Sequence, residues 1–346
     1  MTTKYDRIYG CLLAAAIGDA MGSPTETRPV PLVKEHIGKG DFVYDYAQQL
    51  PNNIGYDLHR AAVTDDFSCA YLAAKYFLKD GGRVSEQAAI DALIDWKNGE
   101  DTHIFFDRYG GPTTRRSIAR LEGHPVPDKG ESFVCDNLKA TNGAGMKAWI
   151  IGLFHPGDVD RTIDDAIVMC LPTHQNVIAL SGGCAVAAAV AKAMVKESTV
   201  ADVIEAGVYG AREGYRRALI VGRPSAGASI EKRIGLAVEL GIKYANDFEK
   251  CIVEMTDLIG TGLNANESVP SAFGYFAAGA GDVMKTVYLA VNSGNDSDTT
   301  AIMAASMAGA YAGGVGIDSY HLKTLSAANR FMDIPWMAKR IDEVTD

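Results

Sequence analysis

Two short acidic segments hold the residues best suited to chemistry. One is Thr64-Asp65-Asp66, and the other is Gly294-Asn295-Asp296-Ser297-Asp298-Thr299. Each opens a long apolar stretch, and more than two hundred residues separate them. Together they offer four carboxylates and two threonine hydroxyls, the hard oxygen donors that magnesium and similar divalent ions prefer. Four aspartates carry four negative charges, which two divalent cations would neutralise. If the fold brings the segments together they form a two-metal site, and such sites serve hydrolysis and group transfer.

A simpler reading competes with this one. Thr and Asp are favoured at helix starts because they accept hydrogen bonds from the unpaired N–H groups there. That is sufficient for Thr64-Asp65-Asp66 taken alone. The same helix dipole also favours ionised carboxylates, which is equally what a metal ligand needs. Asp296 and Asp298 are harder to explain as caps, since one carboxylate would suffice. Two residues apart, they cannot share a helix face but can converge from an extended turn. Asp19 sits in an apolar run, where a charge is costly unless paired. It is expected to bond neighbouring backbone or order the turn. Glu26, in the loop after Pro24, is free to point into a cleft. Beside a metal site it would be a candidate general acid or base. Gly110-Gly111-Pro112-Thr113-Thr114 and Asn142-Gly143-Ala144-Gly145 each precede a helix, where backbone N–H groups can cradle a phosphate. His174 precedes another apolar helix, as a cap, a buried hydrogen-bonding residue or a ligand.

The elements that must position these groups are helical. Apolar residues recur at helical spacing at Phe67, Ala70, Tyr71, Ala74, Phe77 and Leu78. Further helices are expected over 9–20, 85–97, 142–154, 162–170, 177–196, 200–219, 230–240, 247–259, 271–278, 282–290 and 299–312. Period-two alternation is nearly absent. The stretch 177–196 is apolar almost all round, which places it at the centre of a bundle. Polar, Gly/Pro-rich interruptions at 22–53, 103–114, 123–145 and 293–298 are expected loops. With no repeat and no low-complexity linker, residues 1–346 read as a single all-α domain.

Composition narrows the function classes. A net charge of -10 argues against nucleic acid or an anionic membrane as partner. The small-residue stretches 179–195 and 301–317 are short for membrane spans. No secretory signal opens the chain, and Cys11, Cys69, Cys135, Cys170, Cys184 and Cys251 lack CxxC spacing. The expectation is a cytoplasmic protein with reduced, structural cysteines.

These segments, in this order, resemble the ADP-ribosylglycohydrolase family, which includes the dinitrogenase reductase-activating glycohydrolases. The resemblance runs from the first Ala-rich helix (residues 10–22) with Glu26, through Thr64-Asp65-Asp66, Gly111 to Arg115 and Asn142 to Lys147. It continues through Thr173-His174 to Gly294–Thr299 and Ala308-Gly309-Ala310, covering about residues 5–314. It implies an all-α orthogonal multi-helix bundle with a central dinuclear metal cleft holding two Mg2+, or Mn2+. Thr64, Asp65, Asp66, Asp296, Asp298 and Thr299 would hold the metals, and Glu26 would act on the scissile bond. Gly110, Gly111, Thr113, Asn142, Gly143 and Ala144 would line the phosphate and ribose side, with His174 near the distal ribose. The implied reaction is hydrolysis of the C1 N- or O-glycosidic bond of an ADP-ribosyl group on a protein side chain or small molecule.

The chain departs from the family pattern at Phe67, where Thr is common, at Asn295, where Gly is common, and at Lys147, where Arg is frequent. Residues 137–141 offer no aromatic to stack an adenine, although Phe133 is near. Smaller N-ribosides or related glycosides are therefore an alternative substrate class, and a non-catalytic ADP-ribose-binding module is another reading. Asp296-Ser297-Asp298-Thr299-Thr300 also fits the nucleophile motif of haloacid-dehalogenase-like phosphatases, provided a strand precedes it.

Overall fold

The computed structural model describes residues 2–125 and 140–345, so Phe133, Cys135 and most of the loop expected at 123–145 lie outside the described residues. Among the described residues no strand forms, and only two isolated bridges occur, Thr141 with Asn264 and Asn176 with Arg223. The chain folds as an all-α bundle. Residues 287–291, the candidate strand of the phosphatase reading, lie within the helix Val283–Val291, so that reading fails. Nor is any described helix long and apolar enough to cross a membrane.

Four helices position the acidic segments. We label them α1 (Lys4–Gly22), α2 (Asp65–Lys79), α3 (Val177–Ala193) and α4 (Ser297–Ala312). Helix α3 is buried along almost its whole length, as its all-round apolar sequence requires. It packs against Val159–Cys170 and Val200–Val221 and touches α4.

The most extensive packing joins α1 to α4, and it is made possible by small residues. Gly10 lies beside Gly309, Gly18 beside Ala301, and Gly22 beside Asp298, so the helices run antiparallel. A Cβ built on Gly18 would stand 2.7 Å from the Ala301 carbonyl oxygen, and one on Gly22 only 2.5 Å from the Asp298 Cα. No side chain fits there. Backbones in contact bring the C-terminus of α1 directly onto the N-terminus of α4. At this junction the Ser297 hydroxyl donates to the Gly22 carbonyl at 3.0 Å and lies 2.9 Å from the Thr25 hydroxyl.

Several expectations need correction. The segment 103–114 is not a loop, since it contains His103–Tyr109 and the start of Pro112–Leu121. The helix expected over 142–154 is three short turns, Asn142–Ala144, Gly145–Ala148 and Ile151–Phe154. The helix expected to start at residue 271 begins at Ala265 and runs through Pro270. Proline lacks the N–H that would bond the carbonyl four residues back, and the Arg233 guanidinium supplies the missing donor to Asn266 O. The helices Ser319–Ala328 and Ile334–Val344 were not anticipated. Five cysteines (Cys11, Cys69, Cys170, Cys184 and Cys251) are free and buried.

The α1–α4 seam predicts a stability cost for any added atom. Gly18→Ala should lower stability by about 1–3 kcal/mol through overpacking, read as a shift in the urea midpoint. An unchanged midpoint would mean the two helices can separate at no cost.

Candidate active site

The N-terminus of α2 is built around Thr64, whose hydroxyl accepts the Asp66 N–H at 3.3 Å. Asp19, from α1, then accepts three bonds from the same turn. Thr64 N–H donates at 2.9 Å, the Thr64 hydroxyl at 2.7 Å and Phe67 N–H at 3.1 Å. One buried carboxylate thus satisfies donors that would otherwise be orphaned. Burial raises the Asp19 pKa to about 6, and these hydrogen bonds oppose the rise. Asp19 is the joint between α1 and the first acidic segment, as the apolar run around it suggested.

The second segment is shaped by backbone torsion. Gly294 and Asn295 both have positive φ, +66° and +55°. Asparagine tolerates this left-handed region better than most residues, which accounts for Asn295 at a position where the family pattern has Gly. The bend is clamped to the loop after Glu26, since Thr27 N–H donates to Asn295 O at 2.5 Å and Asn295 N–H to Arg28 O at 2.9 Å. Arg28 is buried and donates to Glu26 O at 2.9 Å and to the side chains of Asn52 and Asn53.

Asp296 stands at the start of α4 but its side chain does not cap it. It instead accepts a hydrogen bond from the Asn142 side-chain amide. Asp298 lies in the first turn of α4, where its carboxylate accepts Thr299 N–H at 2.9 Å. An oxygen from each of Glu26, Asp296 and Asp298 falls within 4.8 Å of the other two.

All these groups face one cavity of about 150 Å3. Glu26, Asp65, Asp66, Asp296, Asp298 and Thr299 line it, together with Gly111, Thr113, Asn142, Gly143 and His174. Thr64, Gly110 and Ala144 do not line it. The Thr64 hydroxyl is turned to Asp19, and the other two stand beside residues that do line the cavity. Pro112 and Thr114 line it as well, and so do Tyr109, Ile54, Thr141, Met146 and Leu263, which were not anticipated. Tyr109 belongs to a segment read as loop, and nothing in its local pattern marked it. Phe67 does not reach the cavity but backs it, stacked between Tyr71 and Trp149 at ring distances of 5.8 and 6.0 Å.

So many carboxylates in one buried space repel each other. Burial, with the charges of Asp296 and Asp19, pushes Glu26 up to about 8, while Arg28 pulls the other way. Burial also holds Asp65, Asp66 and Asp298 well above the usual carboxylate range, reinforced by one another's charges and those of Asp19, Glu26 and Asp296. Asp66 Oδ2 is buried without a hydrogen-bond partner. A buried orphan oxygen amid mutually repelling carboxylates is the donor set a divalent cation satisfies, so the residues fit the metals implied by the family resemblance.

Fold and site together describe an all-α bundle with a buried, carboxylate-lined cleft where two helix N-termini meet. The ADP-ribosylglycohydrolase family model matches residues 1–346, and the chain belongs to that family. It is 30% identical to the uncharacterized protein YegU of Escherichia coli (strain K12), the match covering 94% of each chain. It is 26% identical to an uncharacterized protein of Archaeoglobus fulgidus over 88% of this chain and 87% of that one. A solved structure titled "ADP-ribosylglycohydrolase-related protein complex" superposes with a TM-score of 0.66, covering 99% of both chains at 21% identity, and shows the same fold.

The carboxylates set a pH dependence. A carboxyl raised in the folded state stabilises the fold when protonated and loses that contribution as pH rises through the folded pKa. For Glu26 the window runs from its ordinary 4.5 to about 8. In chelator, the melting temperature should therefore fall between pH 5 and pH 8, and saturating magnesium should flatten the fall. A melting curve indifferent to pH in chelator would contradict the burial of these groups.

Proposed function

We propose that the protein is a magnesium-dependent hydrolase that cleaves the C1 N- or O-glycosidic bond of an ADP-ribosyl group on a protein side chain or small molecule. The observation that supports this most is the shared cavity, in which a partly exposed glutamate faces aspartates from both acidic segments. Family membership supplies the class of reaction. Two Mg2+ ions, with Mn2+ as substitute, would be held by Asp65, Asp66, Asp296, Asp298 and Thr299, with Thr64 setting the turn. When bound, they would supply positive charge to fix ribose hydroxyls and to acidify a water.

The rest of the work falls to the chain's own residues. Breaking a ribosyl C1 bond passes through an oxocarbenium-like state, which needs a proton delivered to the leaving atom or removed from the incoming water. Glu26 is the group in reach. It is anchored through its own carbonyl by Arg28, and its carboxyl is held near neutrality by burial and neighbouring charge. Gly111, Thr113, Asn142 and Gly143 also line the cavity, and their backbone N–H groups and small side chains would suit an anionic or hydroxylated substrate. The short turns over 142–148 put Asn142 where its side-chain amide donates to both Asp296 and Ser268, tying this segment to the carboxylates.

Glu26→Gln should leave magnesium affinity within severalfold by calorimetry while lowering kcat about 100-fold or more on ADP-ribosylated substrates. Full activity in this variant would move the proton transfer elsewhere. EDTA should abolish turnover and added magnesium restore it; activity that persists in chelator would refute the metal assignment.

A further inference from the structure

Lys147 is buried, 2% exposed, and its ammonium donates to the Thr173 hydroxyl at 2.7 Å. That hydroxyl lies 2.8 Å from His174 Nδ1, while its alternative acceptor, Cys170 O, is farther at 3.4 Å. A threonine hydroxyl has one proton to give. Receiving a hydrogen bond from a cation, it gives that proton to the nearer acceptor, the lone pair on Nδ1. The imidazole proton then resides on Nε2. The ring lines the cleft, and its Nε2 has no partner among the described residues. Gly143 makes room for it, since a Cβ there would stand 2.3 Å from Nε2.

We propose that Lys147 and Thr173 are positioning residues that fix His174 as a neutral Nε2–H donor aimed at an oxygen of the substrate. The acceptor is a ribose hydroxyl or a phosphate oxygen, and this half of the inference rests on the function proposed above. Burial and the nearby Lys147 charge hold the His174 pKa well below its usual value, so the ring stays neutral. An imidazolium would place a proton on Nδ1 facing the hydroxyl that Lys147 already loads. That state would turn the hydroxyl proton to the farther Cys170 O, so the relay disfavours it and leaves a donor whose direction does not change across the working pH range. Lysine at this position suits the relay, because its compact ammonium reaches a single hydroxyl where a guanidinium would spread its donors over several acceptors.

The test is histidine 15N NMR on the full-length protein, with the His174 signal assigned from its loss in His174→Asn. Wild type should show a protonated Nε2 and an unprotonated Nδ1. Thr173→Val should shift the proton toward Nδ1 and weaken ADP-ribose binding, measured by calorimetry in magnesium, about tenfold, the loss of one hydrogen bond. Thr173→Ser should restore both, and Lys147→Met should reproduce the valine spectrum. A wild-type ring protonated on Nδ1, or a Thr173→Val spectrum like wild type, would overturn the relay. A changed spectrum with unchanged affinity would overturn the contact with substrate. Failure of ADP-ribose to bind wild type at all would count against the proposed function, and the spectra would still decide the tautomer.

Discussion

The close contact between α1 and α4 is the constraint from which the site follows. Helix axes can approach to backbone contact only where no Cβ intervenes, and Gly10, Gly18 and Gly22 remove it at successive points along the seam. The last of these points is Asp298 itself. Once the helices are seated, α1 ends against the second acidic segment, and Asp19, one turn back, holds the first. A single helix therefore carries the geometry of both clusters. Sequence separation costs little here, because α1 is a rigid strut between them.

Against that scaffold the electrostatics are deliberately unfavourable. Five carboxylates share one cavity, and no lysine or arginine is among the described residues that line it. Arg28 is the described guanidinium that acts on Glu26, and it binds that loop through carbonyls and asparagine side chains rather than by pairing with the carboxylate. A fold optimised only for stability would have paired or removed these acids. Their retention in a tightly packed apolar surround, stiffened by Phe67, Tyr71 and Trp149, marks a site built to receive positive charge.

Much of this was legible in the sequence, for physical reasons. The two aspartate segments stand where helices begin, so their caps and their chemistry share one signature. Asp19 was marked by its cost, as a charge inside an Ala-rich run must have partners, and it has three. The helical bundle was legible from period 3.6 alone. What escaped was tertiary compensation. The helix expected only from residue 271 starts before Pro270, because the side chain that replaces the proline's missing donor, Arg233, lies in a different helix. Tyr109 and Ile54 line the cavity from segments whose local pattern is that of loops. The turns over 142–154 read as one helix because their apolar spacing is helical. The last of these turns lies in close contact with α3, where a Cβ on Gly152 would meet the Ala187 carbonyl oxygen at 2.6 Å.

The most direct test of the two-cluster site is diffraction from crystals grown in manganese, recorded at the metal's absorption edge. Two anomalous peaks within the cavity, one or both touching carboxylates of Asp65 or Asp66 and of Asp296 or Asp298, are the expected result. An empty cavity at saturating manganese, or ions bound to one segment without the other, would contradict the account.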